Sequence, residues 1–409
     1  MDVVFAACCG IDVHQKSVVA CVRLMGTGGQ VRKEVRPFAT TTAALTELAV
    51  WLQTLGVTHV AMESTGVFWK PVWHVLEPSV TLLLVNPRDV ARVPGRKTDV
   101  SDAEWIAQLL QCGLLRGSFV PPRPVRELRD LTRSRTTLEH QRAAVVNRIH
   151  KVLEDANVKL GTVATDITGV SGRAILQALV DGQTDPTAIA DLAKGRLRKK
   201  LVSLREAVTG HVTDHHRFLL RRLLSELRFL DEEITAFNTR LEEATRPLDD
   251  LVGLLDTAPG INRRTAENML AEIGPDMAVF PSAKHLASWA PICPGQYESA
   301  GRQTRGTIRK GNRWLRGTLV QAALAATRKK GTYAGAQFRR LAKRRGKQRA
   351  LIAVAHSLLV ASYYILRDRV AYQDLGAEHF DRLAPAQLTK HYVRRLEQLG
   401  HTVRLDPAA

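Results

Sequence analysis

The sequence predicts a mixed α/β unit at the N-terminal side of an otherwise all-α chain. Three observations carry that division. Over residues 1–115, β-rich apolar runs alternate with segments of helical period. A proline cluster, PPRP at 121–124, breaks the pattern. Beyond it, leucine and valine recur at steps of three, four and seven, as in long packed helices.

The first three strands are expected in VVFAACCGIDV, SVVACVRLM and VRKEVRPFA, joined by turn-type residues. TAALTELAVWLQTLG reads as a helix, VTHVAMES as a strand and VFWKPVWHVLE as a short helix. VTLLLVNP is the fifth strand and TDVSDAEWIAQLL the closing helix. The order βββαβαβα is that of an RNase H-like sheet. Past Pro121, one heptad seam runs through Leu131, Leu138, Val145 and Val152. A second runs through Leu220, Leu223, Leu227, Leu230, Ile234, Phe237 and Leu241. These seams predict a coiled coil or a long antiparallel hairpin; an ordinary helix bundle fits the same spacing. Between them, 158–200 holds glycine-rich turns and the basic run KGRLRKK. LDTAPGINRRTAENMLAEIG, at 255–274, has the pattern of a helix-hairpin-helix-like element, in which Gly260 would let backbone N–H groups approach a DNA phosphate. A plain packing element fits it equally. The expected boundaries are 1–120 for the α/β unit, 121–248 for the helical region, 249–372 for a mostly helical C-terminal domain and 373–409 for a weakly folded extension.

The 409 residues carry 59 Lys or Arg against 40 Asp or Glu, a net charge of +19 and a pI near 10.1. That excess points to a polyanionic partner, nucleic acid or an anionic membrane surface. It is concentrated: 299–366 contains no acidic residue, and Gly301 to Ala350 contains 16 Lys or Arg. The first 100 residues nearly balance, at 10 basic to 8 acidic. Apolar residues make up 45%, which excludes a disordered chain. No run of 18 apolar residues and no basic leader are present, so neither a membrane span nor a secretory signal is expected. Five cysteines, an odd number with no C-x-x-C pair, argue against a disulfide framework or thiolate zinc site and for a reducing cytoplasm.

Four carboxylates fall where such a sheet gathers them. Asp12 ends the first strand and Glu63 the fourth; Asp99 and Asp102 are three apart and would share a face of the last helix. Grouped carboxylates repel one another unless they share a cation, most suitably Mg²⁺ held by hard oxygen ligands. Two such ions assist phosphoryl transfer. Each acid also has a structural reading: Asp99 as a helix N-cap, and Ser101 with Glu104 as a capping box. Asp12 resists that reading, because Asp is depleted in strands. Ser299 sits in a small-residue turn just before Arg302, Arg305, Arg309, Lys310, Arg313 and Arg316, which are candidate phosphate contacts. By residue chemistry alone Ser299 is a turn serine.

GIDVHQKS, AMESTGVFWKPV, LVNPRDVAR, GRKTDVSDAEWIAQLL and the C-terminal PGI…ESAGR…RKGNRWLR together resemble the transposases of insertion-sequence family 110, relatives of pilin-gene invertases. The likeness runs in order over residues 5–370. It implies a RuvC-like DEDD domain followed by a C-terminal transposase domain. Asp12, Glu63, Asp99 and Asp102 become the metal ligands, and Ser299 the nucleophile that links to DNA. It also implies a structured noncoding guide RNA. Many relatives have Ser-Gly at the turn; here it is Ser299-Ala300-Gly301. The resulting expectation is an RNA-guided, Mg²⁺-dependent DNA recombinase. The heptad helices imply a dimer or tetramer. The rivals are a RuvC-type resolvase or nuclease using water, a DNA invertase without a guide RNA, and a catalytically dead nucleic-acid scaffold.

Overall fold

Ala7–Val13 (β1) is an almost uninterrupted apolar run, as a strand covered on both faces requires. A computed structural model of the protein describes residues 3–26, 29–87, 90, 101–294, 298–299, 302–303, 308, 311–383 and 385–406, with the backbone alone at 298–299, 302–303 and 387. The chain divides into two compact units, Met1–Val120 and Pro121–Ala409.

In the first unit, β1 pairs antiparallel with Ser17–Met25 (β2), which pairs antiparallel with Val31–Ala39 (β3). On its other side β1 pairs parallel with His59–Glu63 (β4), and β4 pairs parallel with Thr81–Val85 (β5). The sheet order is β3-β2-β1-β4-β5. β3 is an edge, mostly exposed, and carries Arg32, Lys33, Glu34, Arg36 and Pro37, which block further strand pairing. Helices Thr42–Thr54 (α1) and Trp69–Leu76 (α2) cover one face, burying Leu45, Leu48, Leu52 and Leu76 on Cys9, Ile11, Val60 and Met62. Asp102–Gln111 (α3) covers the other face, packing Trp105, Ile106, Leu109 and Leu110 on Cys8, Ala61 and Val85. The expected βββαβαβα order holds among the described residues, and the unit is an RNase H-like mixed sheet.

The second unit is helical. Arg123–Asp155 (α4) starts after Pro122, with Pro124 in its first turn, where a missing N–H costs nothing. Four short helices follow: Leu160–Val163 (α5), Val170–Val180 (α6), Pro186–Asp191 (α7) and Leu201–Val208 (α8). Asp214–Thr245 (α9) begins with a capping box between Thr213 and His216. Ion pairs Arg142–Asp231 at 2.6 Å and Arg148–Glu226 at 2.7 Å, with His216–Asp155 at 2.8 Å, fix α4 and α9 antiparallel. The α9 seam Leu220, Leu223, Leu227 and Leu230 is buried on Val145, Ile149, Leu153 and the short helices. Those four leucines are covered inside one chain, while Ile234 and Phe237 farther along the seam are half-buried. On α4 only Val145 of the expected seam is fully buried; Leu131, Leu138 and Val152 are partly covered. A straight helix drifts from a seven-residue repeat, so the buried line moves to Leu128, Thr132, Val145, Ile149 and Leu153.

Asp249–Asp256 (α10), Arg263–Ile273 (α11), Ala283–Trp289 (α12), Arg313–Arg328 (α13), Tyr333–Arg345 (α14) and Lys347–Asp368 (α15) complete the body. α15 is long and apolar enough to cross a membrane, against the expectation that no such segment exists. Half of that window is buried, and the Tyr363 hydroxyl donates to the Phe280 carbonyl at 3.1 Å, as suits a core helix. The C-terminal extension holds His379–Leu383 (α16) and Pro385–Gln398 (α17). Phe380 stacks on Tyr333 with ring centroids 5.0 Å apart.

Candidate active site and basic surface

The acidic edge follows from strand register. Ile11 pairs with Met62 across β1 and β4, so the next residues along the two parallel strands are Asp12 and Glu63. Neighbouring strands stand about 4.8 Å apart. Ile11 and Met62 face α1 and α2, so alternation turns Asp12 and Glu63 to the opposite face, with Cys8, Gly10 and Ala61. That is the face α3 covers.

Gly10 decides how closely. A β-carbon there would lie 2.3 Å from both the Ala103 carbonyl oxygen and the Ala107 nitrogen. Only glycine lets the helix rest on the strand this way. Cys8 Sγ donates to the Ala107 carbonyl, and the Gln111 carbonyl accepts from Val4 and Phe5. α3 thus runs antiparallel to β1, and its first turn, bearing Asp102, lies at the end of β1 where Asp12 stands. Arg23 donates to Gln111 at 2.8 Å and Lys33 to Glu104 at 2.7 Å, tying α3 to β2 and β3. Gly10 was not singled out by sequence. Its signal was a glycine inside an apolar strand, which marks a close backbone approach.

Ser101 is extended and caps α3 by accepting from the Glu104 N–H at 3.3 Å. The helix therefore begins at Asp102. The expectation that Asp99 and Asp102 share a helix face involves Asp99, which lies outside the described residues. Among the described residues no three His, Cys, Asp or Glu side chains stand close enough to hold a metal ion. His14 Nε2 lies 3.1 Å from Asp12 Oδ2. Asp12 and Glu63 at this edge and Asp102 at the start of α3 offer carboxylate oxygens, the donor type that a hard divalent cation takes. The nearby thiols do not compete for metal: burial pushes Cys8 up to about 12 and Cys21 to about 11, so both stay protonated.

In the second unit, Glu298–Ser299 pairs antiparallel with Arg302–Gln303, placing Ser299 directly opposite Arg302. Arg305, Arg309 and Lys310 lie outside the described residues. α13 starts just beyond, and the G-N-x-x-L-R block explains its position. A β-carbon at Gly311 would meet Pro291 Cγ at 2.1 Å. Asn312 Oδ1 accepts from the N–H groups of Trp314 and Leu315 at 3.1 Å, and Leu315 is fully buried. Asn312 Nδ2 donates to Glu272, whose buried carboxylate also accepts a two-pronged bond from Arg133 at 2.7 and 2.8 Å. Arg129 lies 3.4 Å from the same carboxylate and caps the end of α11 by donating to the Ala271 and Glu272 carbonyls. Arg313 is exposed and lies over the Trp314 ring at 4.8 Å; Arg316 is half-buried.

A second group of cations lies farther along the same acid-free stretch, in the run RRLAKRRGKQR. Arg339, Lys343, Arg344, Arg345, Lys347 and Arg349 are exposed around the α14–α15 junction, with no ion pair among the described residues. Gly260 has φ +82°, and a β-carbon there would meet the Ala322 carbonyl of α13 at 2.2 Å, so packing also requires glycine at this position. The start of α11 is also self-neutralised, since Arg263 pairs with Asp249 and Glu267, and Arg264 with Glu242 and Glu267.

A five-stranded mixed sheet in this order, with acidic residues at adjacent strand ends under a glycine-seated helix, defines a unit of the RNase H-like class. A DEDD model of the IS110 type, described as Transposase, matches residues 9–158, and a model described as Transposase IS116/IS110/IS902 family matches 252–339. The chain belongs to the IS110 family of transposases. It is 30% identical over 183 residues to the pilin gene-inverting protein of Moraxella bovis, covering 43% of this chain and 52% of that protein. The matched stretch thus spans about half the length of that relative. It is 24% identical over 297 residues to the transposase for insertion sequence element IS1111A of Coxiella burnetii, covering 71% and 72%. The insertion element IS116 44.8 kDa protein of Streptomyces clavuligerus is 26% identical over 326 residues, covering 71% and 79%. The T. thermophilus RuvC in complex with Holliday junction substrate aligns over 27% of this chain and 99% of its own, at 13% identity and a TM-score of 0.21.

Proposed function

We propose that the protein is the DNA recombinase of an insertion element, cutting and rejoining strands through a serine–DNA link with the help of an acidic Mg²⁺ site, guided by a noncoding RNA of the element. The observation that carries this reading is the meeting of Asp12 and Glu63 at adjacent strand ends, on the face where Gly10 seats the first turn of α3 and Asp102. Asp12, Glu63, Asp99 and Asp102 would hold the ion, which supplies positive charge for oxygens that become negative in phosphoryl transfer. His14 holds the Asp12 carboxylate in place.

Ser299 is the proposed nucleophile. Its Oγ forms a bond to phosphorus as the bridging P–O bond of the strand breaks; the serine proton passes to the departing oxygen, which leaves as a hydroxyl. The reverse step reseals a strand with no external energy source. Arg302, Arg305, Arg309, Lys310, Arg313 and Arg316 would neutralise the phosphates around it, with Gly260 a further proposed contact. The guide RNA rests on family membership and on the +19 charge; an assembly of two or four copies rests on the need to hold two DNA ends together. A functional division at 121–248, 249–372 and 373–409 is part of the same proposal. A second reading, DNA inversion without a guide RNA, is favoured by the 30% identity to the pilin gene-inverting protein.

The test is strand exchange on DNA carrying the element ends, with Mg²⁺, with EDTA, and with Asp102→Asn. Chelation and substitution should each cost orders of magnitude in rate. Full activity in EDTA overturns the metal site, and products with unjoined ends would replace recombination by hydrolysis.

A further inference from the structure

The run Lys194–Lys200 takes no part in the site above, yet it holds five cations in seven positions. Gly195–Lys200 form a short 3₁₀ helix. Its entry is fixed: the Lys194 N–H donates to Ser171 Oγ at 2.8 Å, and Gly195 takes φ +58°. Leu197 is half-buried against the core under α6 and α8, and it anchors the segment. Lys194, Arg196, Arg198, Lys199 and Lys200 are all exposed.

Many cations of this helical layer are neutralised, whereas these stand together without a carboxylate partner among the described residues. Arg142, Arg148, Lys159, Arg173 and Arg217 each pair with a carboxylate. Around the basic run, Asp191 is taken by Arg205 at 4.0 Å, and Lys200 donates to the Val163 carbonyl at 3.1 Å. Lys194, Arg196, Arg198 and Lys199 have no carboxylate partner among the described residues. Four uncompensated like charges on a rigid base repel one another, and a polyanion relieves that cost. On a 3₁₀ helix, Arg196 and Lys199 eclipse, about 6 Å apart along the axis. The run offers no aromatic ring and no amide side chain to read a base. The core beneath it packs on Val145 to Leu153 of α4, 12 to 20 residues from the Arg133 that steadies α13. At 1.5 Å per residue that is about 20–30 Å along the helix, so this surface is separate from the one at α13.

We propose that Lys194, Arg196, Arg198 and Lys199 form a second nucleic-acid-binding surface, which grips the phosphodiester backbone of a DNA duplex or RNA stem without reading its sequence. Such contacts position a nucleic acid and do not specify it.

The test measures binding of the full chain to a 20-base-pair DNA duplex, to an RNA hairpin and to phosphatidylserine vesicles across a salt series. The variant combines Arg196→Ala, Arg198→Ala and Lys199→Ala; a charge-preserving control combines Arg196→Lys, Arg198→Lys and Lys199→Arg. On DNA, each lost phosphate contact should lower the log–log salt slope by about 0.9, and affinity at fixed salt should fall about tenfold or more. The control should bind as wild type, and all forms should unfold at the same temperature. The loss should multiply with that of Arg313→Ala and Arg316→Ala, since distant sites act independently. A loss on one nucleic acid alone supports the proposal and identifies the partner. Unchanged affinity and slope on both nucleic acids overturn it, as does an equal loss in the charge-preserving control or a loss confined to vesicles.

Discussion

Asn312 Nδ2 donates to Glu272 Oε2 at 2.6 Å, joining the first turn of α13 to a carboxylate that Arg129 and Arg133 neutralise from α4. One amide side chain therefore does two things: its oxygen caps α13, and its nitrogen holds the cap to a fixed point. Asn312→Ala should cost about 1 kcal/mol from the lost cap. Glu272→Ala should cost more, about 3–5 kcal/mol, because it strands partly buried guanidinium groups. Urea unfolding of the two variants checks the order; equal costs would mean that the Arg–Glu cluster is not structurally coupled to its helix.

Gly10→Ala places a methyl group against backbone, which cannot move aside as a side-chain tip can. The expected cost is about 3 kcal/mol, at the upper end for overpacking. Gly317→Ala is the contrast: nothing lies within 4 Å of a β-carbon there, within α13, so the change should stabilise by about 0.5–1 kcal/mol. Thermal unfolding distinguishes them. A neutral Gly10→Ala would show that α3 does not need its close seat on β1.

Ser299→Ala tests the proposed nucleophile. Trapping on a nicked DNA substrate should yield protein that migrates with DNA after denaturation, and this adduct should vanish in the variant while DNA binding survives. An adduct that persists moves the nucleophile elsewhere. No adduct from the wild type, with free 5′-phosphates accumulating, favours hydrolysis by water.

Asp231 links α9 to Arg142 and Arg173. Burial pushes its carboxyl up, but hydrogen bonds from the two guanidinium groups and their charges outweigh this and hold it below the usual carboxylate range. A depressed folded pKa adds stability above the unfolded value, about 3.9, and that stability is lost as pH falls through the folded value. Asp231→Asn should therefore be less stable than wild type at pH 7. The gap should shrink steadily below about pH 4. A gap that stays constant down to pH 2 would assign the loss to packing and not to charge.

The sequence by itself determined the order of the first unit's strands and helices and put Asp12 and Glu63 at strand ends. It did so because periods of 2 and 3.6 are local and survive without tertiary context. It also showed the basic stretch 299–366, since charge is a property of composition. What it could not give were contacts between residues far apart in the chain. Nothing local to Gly10 says that Ala103 will lie on it, and nothing local to Glu272 says that Arg129, Arg133 and Asn312 will converge there. The α9 leucines read the same whether their partner is a second copy or α4, because a helix face encodes its apolarity and not its occupant. Gly260 reads in sequence as a turn glycine, and only the tertiary structure shows the Ala322 carbonyl that a β-carbon there would meet. Tertiary structure settled these points because close packing fixes each neighbour by shape, and shape is shared between segments that the sequence keeps apart.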